Sequence, residues 1–240
     1  MFRQVVKDYS IVAPLAGTGQ FPRGESASPK DVVFHILEDN SQPVEILDIG
    51  FGTGTLGEIV KNNPATAHWA VDGVDGFEPN CCNAELFDKM IYRHIWYGLA
   101  QEIPLDQFKK YKIICLLDIV EHLTADTARW LVRTLLASMA DDAFLFISTP
   151  LWFYPQEHIQ EGDLEEHLIG VPATSMMALL PLMYTVVPPL VGGFVFAKRS
   201  LDFIEFFQPT SDRSFSYERG LAIAEIINCQ YVPGQLFKLA

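Results

Sequence analysis

Between residues 44 and 57 the chain reads VEILDIGFGTGTLG, with glycines at 50, 52, 54 and 57 and Asp48 two residues ahead of the first. A strand that passes through glycines into a helix gathers backbone N–H groups at the positive end of the helix dipole, which suits an anionic group. Glycine also removes the Cβ that would hold a ligand off the backbone. A second aspartate, Asp75, closes the segment HWAVDGVD. Farther along, LLDIVEHL (116–123) sets Asp118, Glu121 and His122 close together. The segment PQEHIQEGDLEEHLIGVP (155–172) carries His158 and His167 among Glu157, Glu161, Asp163, Glu165 and Glu166. Histidine beside carboxylate can remove a proton at neutral pH. The same density suits a divalent cation, or is simply a solvated acidic loop.

These residues need elements to position them, and the chain alternates strand and helix patterns five times. Strands are expected at Val44–Leu47, 68–75, 91–98, 111–118 and 143–149. Helices are expected after Ser28-Pro29, with Val32, Val33, Ile36 and Leu37 on one face, over 55–63, from Pro79 to Phe87, and after a Thr124 cap. In the Thr124 helix Leu131, Leu135 and Met139 share a face. YKIICLLD is apolar almost throughout, as a strand buried on both faces of a parallel sheet would be. The alternation predicts a doubly wound α/β sheet, whose ligands sit beyond the carboxyl ends of the strands. The uncharged stretch 173–197 is long enough to span a bilayer. Pro181, Pro188-Pro189 and Gly192-Gly193 would break such a helix, and MYTVV and GFVFA read instead as short strands flanking a turn.

The glycines alone do not choose between cofactors. Read as Gly52-x-Gly54-x-x-Gly57 they match a dinucleotide fingerprint, and read as Asp48-x-Gly50-x-Gly52-x-Gly54 they match a loop for S-adenosylmethionine. Asp48 would repel a pyrophosphate and attract the ammonium of a methionine moiety. Asp75 lies where either cofactor would offer ribose hydroxyls.

The strand-D-x-x-E-H-L pattern at 116–123, downstream of such a loop, resembles the class I S-adenosylmethionine-dependent methyltransferases. FLFISTP (144–150) resembles that family's fifth strand, and 155–172 resembles the following loop in a bacterial small-molecule subgroup. The similarity covers about residues 44–170, extending more weakly to 183–198. It implies a mostly parallel seven-stranded Rossmann-like sheet with a C-terminal antiparallel hairpin. It also implies that Asp48, Gly50, Gly52 and Gly54 cradle the methionine end, that Asp75 holds the ribose, and that Gly76 and Phe77 line the adenine pocket. Asp118 and Ile119 would sit near the transferred methyl. His167, paired with Glu166, and His122 are the candidates for catalysis, although a structural His122 that caps the next helix or bonds a loop carbonyl is an equal reading. No residue is assigned as a metal ligand, and a divalent metal is left open without support. Leu99 stands where many members carry an acid for the adenine amino group, with backbone groups or Gln101 as substitutes.

The implied activity is methyl transfer from S-adenosylmethionine to a small molecule, at oxygen of a saccharide or secondary metabolite. The alternatives are an NAD(P)-dependent oxidoreductase and a non-catalytic protein that binds an adenosine cofactor. A length of 240 residues suits one domain, with 1–43 as cap and lead helix, 44–198 as core and 199–240 as extension. The net charge of −13, with scattered cations, disfavours nucleic acid. Four cysteines without metal spacing fit a reduced cytoplasmic setting, and the N-terminal stretch broken by Pro14 is not read as a signal peptide. Neither a nucleic-acid nor a membrane partner is expected, and the tail leaves room for a homodimer. Trp96, Trp130, Trp152 and the phenylalanines are expected in the core or pocket walls, and Met176-Met177 in a helix core.

Overall fold

A computed structural model describes residues 27–187, 190–212, 219, 222 and 236–238. Five strands, β1 (Glu45–Ile49), β2 (Ala70–Asp75), β3 (His94–Tyr97), β4 (Ile113–Leu117) and β5 (Phe144–Pro150), pair in parallel in the order β3-β2-β1-β4-β5. The sheet continues with β7 (Val191–Ala197) antiparallel to β5 and β6 (Met183–Val187) antiparallel to β7. This is the mostly parallel, doubly wound sheet with a C-terminal hairpin that the sequence implies. A short eighth strand, β8 (Leu236–Lys238), was not expected and lies on the free edge of β6.

Each central strand sends alternate side chains to opposite faces, so each face has its own apolar layer. Leu47, Ile49, Ile114 and Leu116 meet Leu131, Leu135 and Met139 of the Ala125–Ser138 helix on one side. Ile46, Val71, Ile113 and Cys115 meet Val32, Val33, Leu56 and Val60 on the other. All five residues of β4 are buried, as its continuous apolar run predicts.

The helices are α1 (Thr55–Asn62), α2 (Glu78–Cys81), α3 (Ala84–Asp88), α4 (Ala125–Ser138) and α5 (Ala173–Ala178). Thr124 caps α4 as expected, its Oγ1 accepting from the N–H of Thr127. The expected helix 79–87 is split in two, because Asn83 takes an extended backbone and its side chain caps α3 by accepting from Glu85 N–H. The lead helix is a 3-10 turn, Lys30–His35, that still buries Val32 and Val33. Trp130 faces outward from α4 with 45% of its surface exposed, contrary to expectation, whereas Trp96 and Met176 are buried.

No described helix is long and apolar enough to cross a membrane, and Met183–Val187 and Val191–Ala197 form the β6–β7 pair. The N-terminal stretch before Ala27, Cys229 and most of the expected extension 199–240 lie outside the described residues. At the far edge of the sheet, buried Asp72 accepts from Arg93 Nε at 2.9 Å and Nη2 at 2.7 Å and from Tyr111 OH at 2.9 Å, tying β2 to the segments that lead into β3 and β4.

Candidate functional site

The carboxyl ends of β1, β2 and β4 open into a cavity of about 890 Å³, within the usual size for a small-molecule site. Its glycine floor is a left-handed run, with φ of +70° at Gly50, +55° at Gly52 and +86° at Gly54, conformations that L-residues with a Cβ resist. A Cβ on Gly50 would meet Ile119 Cδ1 at 2.0 Å, so the β1 turn and the β4 turn pack directly on each other. A Cβ on Gly52 would meet nothing within 4 Å. The glycine N–H groups do not themselves point at a ligand. Gly50 N–H donates to Val74 O, Gly54 N–H to Phe51 O, and Gly52 N–H to Asp75 Oδ2 at 2.8 Å. The glycines therefore shape the loop, while Thr53, Thr55 and Leu56 at the start of α1 face the cavity.

Asp75 organises this end. Its Oδ1 accepts from Phe77 N–H at 2.7 Å, and Oδ2 takes Asn80 Nδ2 in addition to Gly52 N–H. Burial pushes its carboxyl up to about 6, against the pull of the Phe77 and Gly52 N–H groups. A carboxylate has about four lone-pair sites and three are taken, so capacity for one ribose hydroxyl remains. Asp48 is buried beneath the loop with Oδ2 accepting from Tyr92 OH at 2.7 Å. Burial raises it to about 7, while the Tyr92 hydrogen bond and Lys30 oppose the rise. Gly76 and Phe77 line the cavity with Leu99, Ala100 and Gln101. Leu99 brings no acid, and its N–H instead donates to the Glu102 carboxylate at 3.2 Å.

The β4 turn supplies the second half. Asp118 adopts φ +54°, a conformation aspartate tolerates better than most residues, and its Oδ1 accepts from Ser148 Oγ at 2.9 Å. A 3-10 turn, Val120–His122, follows. The chain after β5 then comes back across this turn, where Leu168 and Ile169 N–H both donate to Glu121 O. The return brings His167 beside His122, with ring centroids 4.6 Å apart in an edge-to-face arrangement. Each imidazole is oriented by a backbone carbonyl, His122 Nδ1 by Glu166 O at 3.1 Å and His167 Nδ1 by Tyr154 O at 2.6 Å. Burial, with His122 beside it, lowers His167 to about 4, and burial lowers His122 as well. Glu121 is buried with Oε2 on Thr149 Oγ1 and Oε1 without a hydrogen-bond partner among the described residues.

The expected His167–Glu166 pair is corrected here. The Glu166 carboxylate turns outward to His158 Nε2 at 3.5 Å, and only its peptide oxygen reaches the site, through His122. Glu166 and His167 thus turn to different partners, Glu166 to His158 and His167 to His122. The carboxylate beside the two imidazoles is that of Glu121, which was quoted in the motif but given no role. His158 belongs to a separate turn in which Asp163 accepts from its ring and from the N–H groups of Ile159, Gln160 and Glu165. That turn covers the glycine end, with Leu164 close against Gly76.

No family model matches the chain, and no curated protein matches it. Among solved structures, the chain is similar to the mitomycin 7-O-methyltransferase MmcR at 14% identity, over 70% of this chain and 53% of that one, with a TM-score of 0.47. It is similar to the YcgJ protein from Bacillus subtilis at 17% identity, over 53% and 52%, with a TM-score of 0.42. It is also similar to the N-terminal domain of EvdMO1 in the presence of SAH and D-fucose at 13% identity, over 72% and 82%, with a TM-score of 0.48. The chain spans about half the length of the first two.

Proposed function

We propose that this chain binds S-adenosylmethionine and methylates an oxygen of a small molecule. One observation carries the reading: a single cavity holds the glycine loop with Asp48 and Asp75 at one end and Glu121, His122 and His167 at the other. Its lining includes six carboxylates (Asp48, Asp75, Asp118, Glu121, Asp163 and Glu165) against one lysine, Lys30. Such a field attracts a cationic sulfonium and ammonium and opposes the pyrophosphate of a nicotinamide dinucleotide, which places the oxidoreductase second.

The residues accommodate the cofactor. Gly52 leaves open space above the loop, Asp75 presents a fixed carboxylate for the ribose, Phe77 offers an apolar face for the adenine, and Asp48 supplies negative charge for the ammonium. When bound, the cofactor supplies a methyl group on a positively charged sulfur that leaves neutral. The protein's part is then mainly to position the acceptor, which can lower the barrier by about 7–11 kcal/mol. The acceptor oxygen gains the methyl and loses its hydroxyl proton at the Glu121, His122 and His167 end, and the proton passes to solvent. A saccharide or secondary metabolite as acceptor rests on the sequence resemblance at 155–172.

Calorimetry of the full chain against S-adenosylmethionine and against NAD(H) tests the reading. Binding of the first and not the second is expected; the reverse result replaces it with the oxidoreductase. Cofactor binding without turnover across hydroxylated acceptors would leave a binding protein.

A further inference from the structure

The geometry points to a divalent transition-metal site formed by Glu121 Oε1, His122 Nε2 and His167 Nε2. One ligand atom from each of these residues lies within 4.8 Å of the others. Ligands held about 2.1 Å from one ion lie roughly 3–4 Å apart, so side-chain shifts of under about 1 Å close the set.

Two independent features make this a ligand set. First, a carbonyl oxygen can only accept, so each histidine Nδ1 carries its proton toward Glu166 O or Tyr154 O. In a neutral ring the lone pair then sits on Nε2, and a backbone carbonyl behind the ring is the usual support of a metal-bound histidine. Second, Glu121 Oε1 is buried and has no hydrogen-bond partner among the described residues, although Oε2 of the same carboxylate is held by Thr149. An orphaned carboxylate oxygen in the interior is costly unless something binds it.

Two imidazoles and one carboxylate favour a first-row ion such as Zn²⁺, Co²⁺, Mn²⁺ or Fe²⁺ over Mg²⁺ or Ca²⁺, which prefer oxygen. Three protein ligands leave coordination positions open, and all three residues line the cavity. On the reading of the chain as a methyltransferase, an acceptor hydroxyl at an open position would be acidified by the ion.

The test uses the full chain, freed of metal by chelation and titrated with Co²⁺ and then Zn²⁺. Stoichiometric uptake and visible Co²⁺ ligand-field bands are expected, displaced by Zn²⁺ and not by Mg²⁺. Glu121→Gln, which keeps the volume, and His167→Ala should each weaken uptake by about tenfold or more, while His158→Ala leaves it unchanged. Absence of uptake, or equal uptake by all variants, overturns the site, as does loss confined to His158→Ala. Calorimetry with S-adenosylmethionine on the same samples separates the two readings. Metal uptake without cofactor binding removes the methyltransferase and keeps the metal site, and cofactor binding without metal uptake does the opposite.

Discussion

The ring of His167 stands edge-on to that of His122 at 4.6 Å, and the two histidines come from segments joined only by the return of the chain after β5. The described contacts of the His167 ring are with His122 and Tyr154, away from the glycine loop. On the proposed reading, His167→Ala is expected to lower turnover by about tenfold or more while changing cofactor affinity little. Steady-state kinetics with calorimetry on the same sample checks this, and unchanged turnover removes His167 from the chemistry.

Asp75→Ala removes the carboxylate that fixes Gly52 N–H and Phe77 N–H. Two consequences are expected together. Affinity for S-adenosylmethionine falls by about tenfold to a hundredfold, and stability falls by about 1–3 kcal/mol, since hydrogen bonds to a charged group are the stronger kind. Denaturant melts and calorimetry measure both, and unaltered affinity would end the ribose assignment.

Glycine substitutions discriminate a working floor from mere turn geometry. Gly50→Ala places a Cβ 2.0 Å from Ile119 Cδ1 at a φ of +70° and should unfold the β1–β4 junction. Gly52→Ala has room, so it costs only the left-handed penalty of about 1–2 kcal/mol, yet its methyl enters the cavity. Thermal melts should separate the two variants, and loss of cofactor affinity in folded Gly52→Ala is the expected result.

Asp48 and Asp75 make the ligand-free protein sensitive to pH. Burial lifts their carboxyls from 3.8 to about 7 and about 6, so from roughly pH 4 to pH 7 the folded chain holds protons that the unfolded chain has released. Stability therefore falls as pH rises through this window, by a few kcal/mol at most. Asp48→Asn, which can still accept from Tyr92 OH, should flatten the fall; an identical pH profile would show that Asp48 is not its source.

Away from the site, Asp72→Ala strips Arg93 and Tyr111 of a buried partner. A loss of about 1–3 kcal/mol is expected, mainly from the hydrogen bond that the Tyr111 hydroxyl loses, since Arg93 is partly exposed and keeps Glu45, read as a lower melting temperature with cofactor affinity kept in the folded fraction.

The glycine loop and the strand alternation were legible because both are local: period, β-branching and glycine spacing act over a few residues. The split of 79–87 was written less loudly, in Asn83, whose side chain prefers to cap a backbone N–H over continuing a helix. The Glu121, His122 and His167 cluster had no local signature, since it depends on where the chain returns after β5. Adjacency to His167 made Glu166 attractive, but adjacency does not set where a side chain turns, and the Glu166 carboxylate turns to His158. Glu121 and His122 stand together because a 3-10 turn, not a strand, carries them.

Leu164 rests on Gly76, and His167 follows three residues later on the same strap. A displacement that clears Leu164 from Gly76 pulls on the segment that seats His167 against His122. On the proposed reading, the strap over the cofactor end and the seat of His167 are one segment, so a substitution at Leu164 is expected to be felt at His167.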